Sequence, residues 1–181
     1  ILLVGSNPEE AHPVIGAQIR QAIQRGTQVV VVDPRKINLV KDSALHLQVQ
    51  AGTNVAFANG MMHVILKEGL ADRHFIEERT EGFSDLEKMV ADYTPEKVAE
   101  ICHIHPEDLI QAARMYAKAE KVPIIYCLGV TEHSTGTEGV MSMSNLAMLV
   151  GKVGKPGCGV NPLRGQNNVQ GACDMGCMPY D

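Results

Sequence analysis

The densest run of polar chemistry in the chain is Arg164-Gly165-Gln166-Asn167-Asn168-Val169-Gln170-Gly171-Ala172-Cys173-Asp174-Met175-Gly176. A guanidinium is a planar fork that holds a carboxylate through two parallel hydrogen bonds. The amides beside it add neutral donors and acceptors without competing charge. The flanking glycines let backbone lie close to a ligand. The set suits capture of a small anion by Arg164, and a purely structural loop is the competing reading.

Three other segments carry usable groups. Gly5-Ser6-Asn7-Pro8-Glu9-Glu10 follows a short apolar run. The helix behind it would present free N–H groups that suit a phosphate. It lacks the GxGxxG pattern of a dinucleotide cradle, and a plain turn explains it equally well. Asp33-Pro34-Arg35 follows a second apolar run. An acid there can accept from ribose hydroxyls or a guanine edge, and Arg35 can meet a phosphate. The alternative is an Asp-Pro turn with a solvated arginine. In Leu128-Gly129-Val130-Thr131-Glu132-His133, Gly129 permits close approach of a ligand, and Glu132 with His133 reads as an acid–base or a surface pair.

Cysteine and histidine point to no metal site. Cys102, Cys127, Cys158, Cys173 and Cys177 include no CxxC pair, since the last two stand four apart. An odd count with no visible signal peptide suits free thiols in a reducing compartment, so the cytoplasm is the expected location. His103 and His105 could share a metal but fit two histidines at a helix entry better. Met141, Met143 and Met148 read as core.

Composition removes other classes. The 16 basic and 21 acidic residues leave a net charge of -5, and no Lys/Arg stripe invites nucleic acid. Aromatics are 4% with no Trp, which argues against base or sugar stacking. No apolar run approaches the roughly 20 residues needed to span a bilayer. The 181 residues suit one domain. An opening Ile1-Leu2-Leu3-Val4 strand and a close without helix or strand at Cys177–Asp181 lead us to expect a piece of a longer polypeptide.

The elements that must position these groups follow a strand–helix alternation. Ile1–Val4 reads as a strand. Pro13 suits the first turn of a helix whose apolar face is Ile15, Ile19, Ala22 and Ile23, ended by Gly26. Val29–Val32 is a β-branched run of the kind buried on both faces of a parallel sheet. Ala44–Val49 reads as a weaker strand, Thr53–Lys67 as a helix, and 70–120 as mostly helical, with Pro95 and Pro106 at helix starts. Ile124–Leu128 reads as a further central strand and Thr135–Val150 as a helix. Residues 151–179 hold seven Gly and three Pro and no apolar period, so they read as an irregular functional segment. The expected fold is α/β: a doubly wound, mostly parallel Rossmann-like sheet with helices on both faces.

Several motifs together resemble a known family. They are Gly5-Ser6-Asn7-Pro8, Val32-Asp33-Pro34-Arg35-Lys36, Arg79-Thr80-Glu81-Gly82-Phe83, Leu146-Ala147-Met148-Leu149, Gly154-Lys155-Pro156, and Gly159-Val160-Asn161-Pro162 running on through Arg164 to Gly176. Over essentially its whole length the chain resembles the catalytic (α) subunit of molybdenum- or tungsten-dependent formate dehydrogenases, in the bis-molybdopterin guanine dinucleotide oxidoreductase family. Related nitrate reductases look different after Arg164-Gly165-Gln166. A nitrate-type relative and a self-standing nucleotide-binding module are the alternatives.

The resemblance implies a reaction and a set of roles. Residues 1–151 would be the Rossmann-like unit holding one molybdopterin guanine dinucleotide, and 152–181 a glycine-rich active-site segment leading onward. Asn7 and Glu10 would lie by the cofactor in the first loop. Asp33 and Arg35 would lie at its nucleotide end, with Gly52, Thr53 and Asn54 at a helix start beside it. Leu128, Gly129 and Glu132 would line the pterin side, Leu128 and Glu132 standing where many members have Met and Gln. Arg164 would hold formate, with Gln166 beside the cofactor. The Cys or selenocysteine metal ligand and the ligands of a 4Fe–4S cluster would lie upstream of Ile1, so no metal ligand falls in this chain. Formate, the rest of the α subunit and electron-transfer subunits or acceptor proteins would be the partners.

Overall fold

The structure is a computed structural model that describes residues 1–177. Residues 178–181, the end of the glycine-rich segment, lie outside the described residues. β1 (Leu2–Val4) is wholly buried and leads into α1 (Pro8–Ala11) and α2 (Pro13–Gln24), each with a proline in its first turn. β2 (Val30–Val32) follows, also wholly buried, then a 3-10 turn over Asn38–Asp42 and β3 (Leu45–Leu47). The long connection onward is α3 (Asn54–Lys67), α4 (Arg73–Arg79), α5 (Phe83–Val90), α6 (Pro95–Cys102) and α7 (Pro106–Lys118). Then come β4 (Pro123–Tyr126), α8 (Leu128–Thr131), α9 (Gly136–Leu149), β5 (Gly159–Pro162) and α10 (Val169–Asp174).

The five strands form one sheet in the order β3-β2-β1-β4-β5, every neighbouring pair parallel. Alternation along the strands divides the interior in two. Leu2, Val4, Val30, Val32 and Ile124 face a large core shared with Phe57, Met61, Leu109, Ala113, Met143 and Leu146. Leu3 and Val31 face the other side, against Ile19, Ile37 and Leu39, with Ile15 and Ile23 of α2 packed on them. Helices therefore cover both faces, and the doubly wound α/β reading holds.

Several boundaries differ from the sequence reading. β3 is shorter than Ala44–Val49, and β4 stops at Tyr126, because Leu128 opens α8 instead of extending the strand. The glycine-rich segment is more ordered than its composition implies. β5 pairs with β4 through Ile124↔Val160 and Tyr126↔Pro162, and α10 starts from Asn168, whose side chain accepts from the Gly171 N–H. Proline in β5 is tolerated because it is an edge strand. Of the three methionines read as core, only Met143 is fully buried; Met141 is 59% exposed. His103 ends α6 in a left-handed conformation and His105 precedes α7. Among the described residues, no group of three or more His, Cys, Asp or Glu is placed to hold a metal ion, and all five cysteines are free. No helix among them is long and apolar enough to cross a membrane.

Candidate functional site

The register of the sheet brings three loops to one level. Val4 lies opposite Val32 on one side and Tyr126 on the other, so Gly5, Asp33 and Cys127 leave the sheet side by side. The chain departs in opposite directions on either side of β1, and a crevice opens at such a switch point. A cleft of about 420 Å³ lies there. It falls within the range of small-ligand sites.

Backbone packing closes the cleft floor. The Gly129 N–H donates to the Gly5 carbonyl at 3.1 Å. A Cβ on Gly129 would stand 2.6 Å from the Gly5 carbonyl oxygen, and one on Gly5 would stand 2.7 Å from the Gly129 carbonyl carbon. Both positions require glycine. Asn54 Nδ2 and His133 Nε2 each donate to the Gly129 carbonyl at 3.0 Å, fixing the start of α3 and the turn after α8 to the same point.

Asp33 is 2% exposed at the tip of β2. Its Oδ1 accepts from the Arg35 N–H at 2.8 Å and from Arg35 Nε at 3.3 Å. His46 Nε2 donates to its carbonyl at 3.0 Å. The Arg35 side chain itself remains 65% exposed, so its guanidinium edge is open to a ligand. Ser6 is 3% exposed and its hydroxyl is buried without a partner among the described residues.

Of the residues named from the sequence, Asn7, Glu10, Asp33, Arg35, Gly52, Asn54, Leu128 and Gly129 line this cleft together. Thr53 does not: its hydroxyl turns back onto the Gln50 carbonyl at 2.7 Å. Glu132 is exposed and lines neither this cleft nor its neighbour. Arg164 and Gln166 line a second cavity of about 70 Å³, whose walls Cys127 and Leu128 share with the first. Burial pushes the Tyr126 phenol above its ordinary range, and the positive charge of nearby Arg164 pulls it partly back. Leu163 is pinned beside it: its N–H donates to the Tyr126 carbonyl at 2.8 Å, and its carbonyl accepts from Cys127 Sγ at 2.8 Å.

Sequence reasoning passed over Ser6, Gln50 and Cys127 as lining residues, and His12 altogether. Ser6 and Cys127 had a usable signal, since Ser6 lies within a loop already chosen at a strand end and Cys127 adjoins another. His12 had none: it donates to the Arg164 carbonyl at 2.7 Å across 152 positions of sequence.

Comparison with known proteins agrees with this architecture. Residues 1–179 match the molybdopterin oxidoreductase family. The chain is 50% identical over 179 residues to the F420-dependent formate dehydrogenase subunit alpha of Methanocaldococcus jannaschii, covering 99% of this chain and 27% of that protein. It is 45% identical to formate dehydrogenase H of Escherichia coli, covering 99% of this chain and 25% of that one. The chain thus spans about a quarter of the length of these curated relatives. Among solved structures it is similar to acetylene hydratase from Pelobacter acetylenicus, with a TM-score of 0.82 and 27% identity over 86% of this chain and 22% of that chain. The chain belongs to the molybdopterin oxidoreductases, whose cofactor is a molybdopterin carrying molybdenum or tungsten.

Proposed function

We propose that this chain is the part of a formate dehydrogenase catalytic subunit that holds one molybdopterin guanine dinucleotide and presents Arg164 to formate. The observation that carries the reading is the adjacency of two cavities: a strand-tip cleft suited to a nucleotide, and a smaller one lined by an exposed arginine, sharing the Cys127–Leu128 wall. The fold alone selects no substrate, since its solved neighbour is named as a hydratase. The formate assignment draws on the curated relatives, which are formate dehydrogenases at 45–50% identity.

The cleft residues fit the nucleotide group. Ser6 contributes a buried hydroxyl with no partner among the described residues, which a bound polar group would satisfy. Asn7 makes no side-chain cap to α1 and is left to face a ligand. Asp33 suits the donors of a guanine edge or ribose, and exposed Arg35 suits a phosphate. Gly5 and Gly129 let the two loops meet backbone to backbone at the floor of the cleft. On this reading residues 1–151 form the holding unit, and 152–181 carry Arg164 and Gln166, with β5 as anchor.

When bound, the metal of the cofactor supplies the two-electron acceptor for oxidation of formate to carbon dioxide, with a 4Fe–4S cluster elsewhere in the parent subunit as relay. The chain's own part is orientation and electrostatics. Arg164 holds the formate carboxylate in its planar fork, and the pinned backbone at Leu163 limits how far that fork can wander. In the complete subunit, Arg164→Ala is expected to lower kcat/KM for formate by about a hundredfold or more, with cofactor content unchanged. Arg164→Lys is expected to do little better, because a point charge lacks the fork. Wild-type kinetics in either variant would remove Arg164 from the substrate site.

A further inference from the structure

We propose that His12 is a positioning residue for Arg164: its imidazole ties the first βα loop to the segment that carries the guanidinium. This inference rests on the substrate role given to Arg164 above. His12 Nε2 lies 2.7 Å from the Arg164 carbonyl oxygen. A carbonyl only accepts, so Nε2 carries the proton in that bond. The other ring nitrogen, Nδ1, is buried without a partner among the described residues. Among the described residues, the imidazole's hydrogen bond is therefore the one to the Arg164 carbonyl.

The post on which this ring stands is rigid. The His12 N–H donates to the Pro8 carbonyl and the Gly16 N–H to the His12 carbonyl, both at 2.9 Å. Behind it α1 and α2 meet so closely that a Cβ on Gly16 would stand 2.8 Å from the Glu9 Cα. An ion pair between Glu9 and Arg20 locks the same corner. Opposite, both anchors of Leu163 come from the end of β4, the neighbouring strand. Both of those anchors act on Leu163 and neither on Arg164 itself. The bond from His12 comes from the junction of α1 and α2 and holds the Arg164 carbonyl directly.

The test uses the complete, cofactor-loaded subunit. His12→Ala is expected to lower kcat/KM for formate by about tenfold or more while cofactor content stays at the wild-type level. Backbone hydrogen exchange over 163–168 should quicken in parallel. His12→Gln can place an amide N–H where Nε2 stood, so it should recover most of both losses. His12→Asn, which mimics Nδ1 instead, should not. In an Arg164→Ala background, His12→Ala should cost nothing further. Wild-type kinetics and exchange in His12→Ala would overturn the proposal, as would a Gln variant no better than Ala or a full additive loss in the double variant. Loss in Arg164→Ala with none in His12→Ala would remove this inference alone. Normal formate turnover in Arg164→Ala would remove the function proposed above, and this inference with it.

Discussion

Two buried hydroxyls, those of Ser6 and Tyr116, lack partners among the described residues, yet they stand in different places. Ser6 lines the strand-tip cleft, where a ligand can satisfy it. Tyr116 is 2% exposed within the large core, where burial pushes its phenol far above the ordinary value of 10.0. Removing an unsatisfied buried hydroxyl costs little, so Tyr116→Phe is expected to match or exceed wild-type stability at pH 7, by up to about 1 kcal/mol. The pH dependence has a definite sign. Above pH 10.0 the unfolded tyrosine ionises while the folded one stays protonated, so the unfolded state binds fewer protons and stability falls. The phenylalanine variant lacks that contribution, which reaches about 1.4 kcal/mol per pH unit for one group. Urea unfolding of both proteins at pH 8 and pH 11 checks this; identical pH slopes would contradict it.

At the scale of elements, the site depends on the loop after β1 touching the loop after β4, backbone to backbone. Gly129→Ala would drive a methyl group into the Gly5 carbonyl. The two loops must part, at a cost of about 1–3 kcal/mol, and the cleft floor opens with them. A lowered melting temperature together with reduced cofactor content in the complete subunit is the expected result. The elements also show what a sequence can and cannot tell. β1 and β2 are legible because strands buried on both faces need unbroken apolar runs. The loop after β2 is legible in turn, which is why Asp33 and Arg35 could be named; Asn7, in the loop after β1, is named through the family resemblance. β5, Gly159-Val160-Asn161-Pro162, has no apolar period and exists because β4 offers it a register. Thr53 and Glu132 stand close in sequence to residues of the cleft, but the Thr53 hydroxyl is spent on the Gln50 carbonyl and the Glu132 side chain is exposed outside the cleft. The link from His12 to Arg164 is invisible along the chain, since only tertiary packing brings the two together.

At the scale of the whole molecule, the proposed function makes the sheet and its helices the holder of the cofactor. The curated relatives are about four times as long as the matched segment, and we propose that the metal ligand and the electron relay lie in such further parts of the parent protein. The 181 residues alone are therefore expected to show no formate oxidation with an artificial electron acceptor; measurable turnover would overturn that division of labour. The central claim is that the strand-tip cleft is where the pterin nucleotide sits. Ala51 is an exposed residue on the wall of that cleft, so a bulky side chain there fills the cleft without disturbing the core. The direct measurement is the amount of molybdopterin guanine dinucleotide released from the complete subunit carrying Ala51→Trp, beside its melting temperature. Loss of most of the cofactor from a protein whose cofactor-free form melts as the wild type does is the predicted result. A full complement of cofactor in that variant would contradict the account.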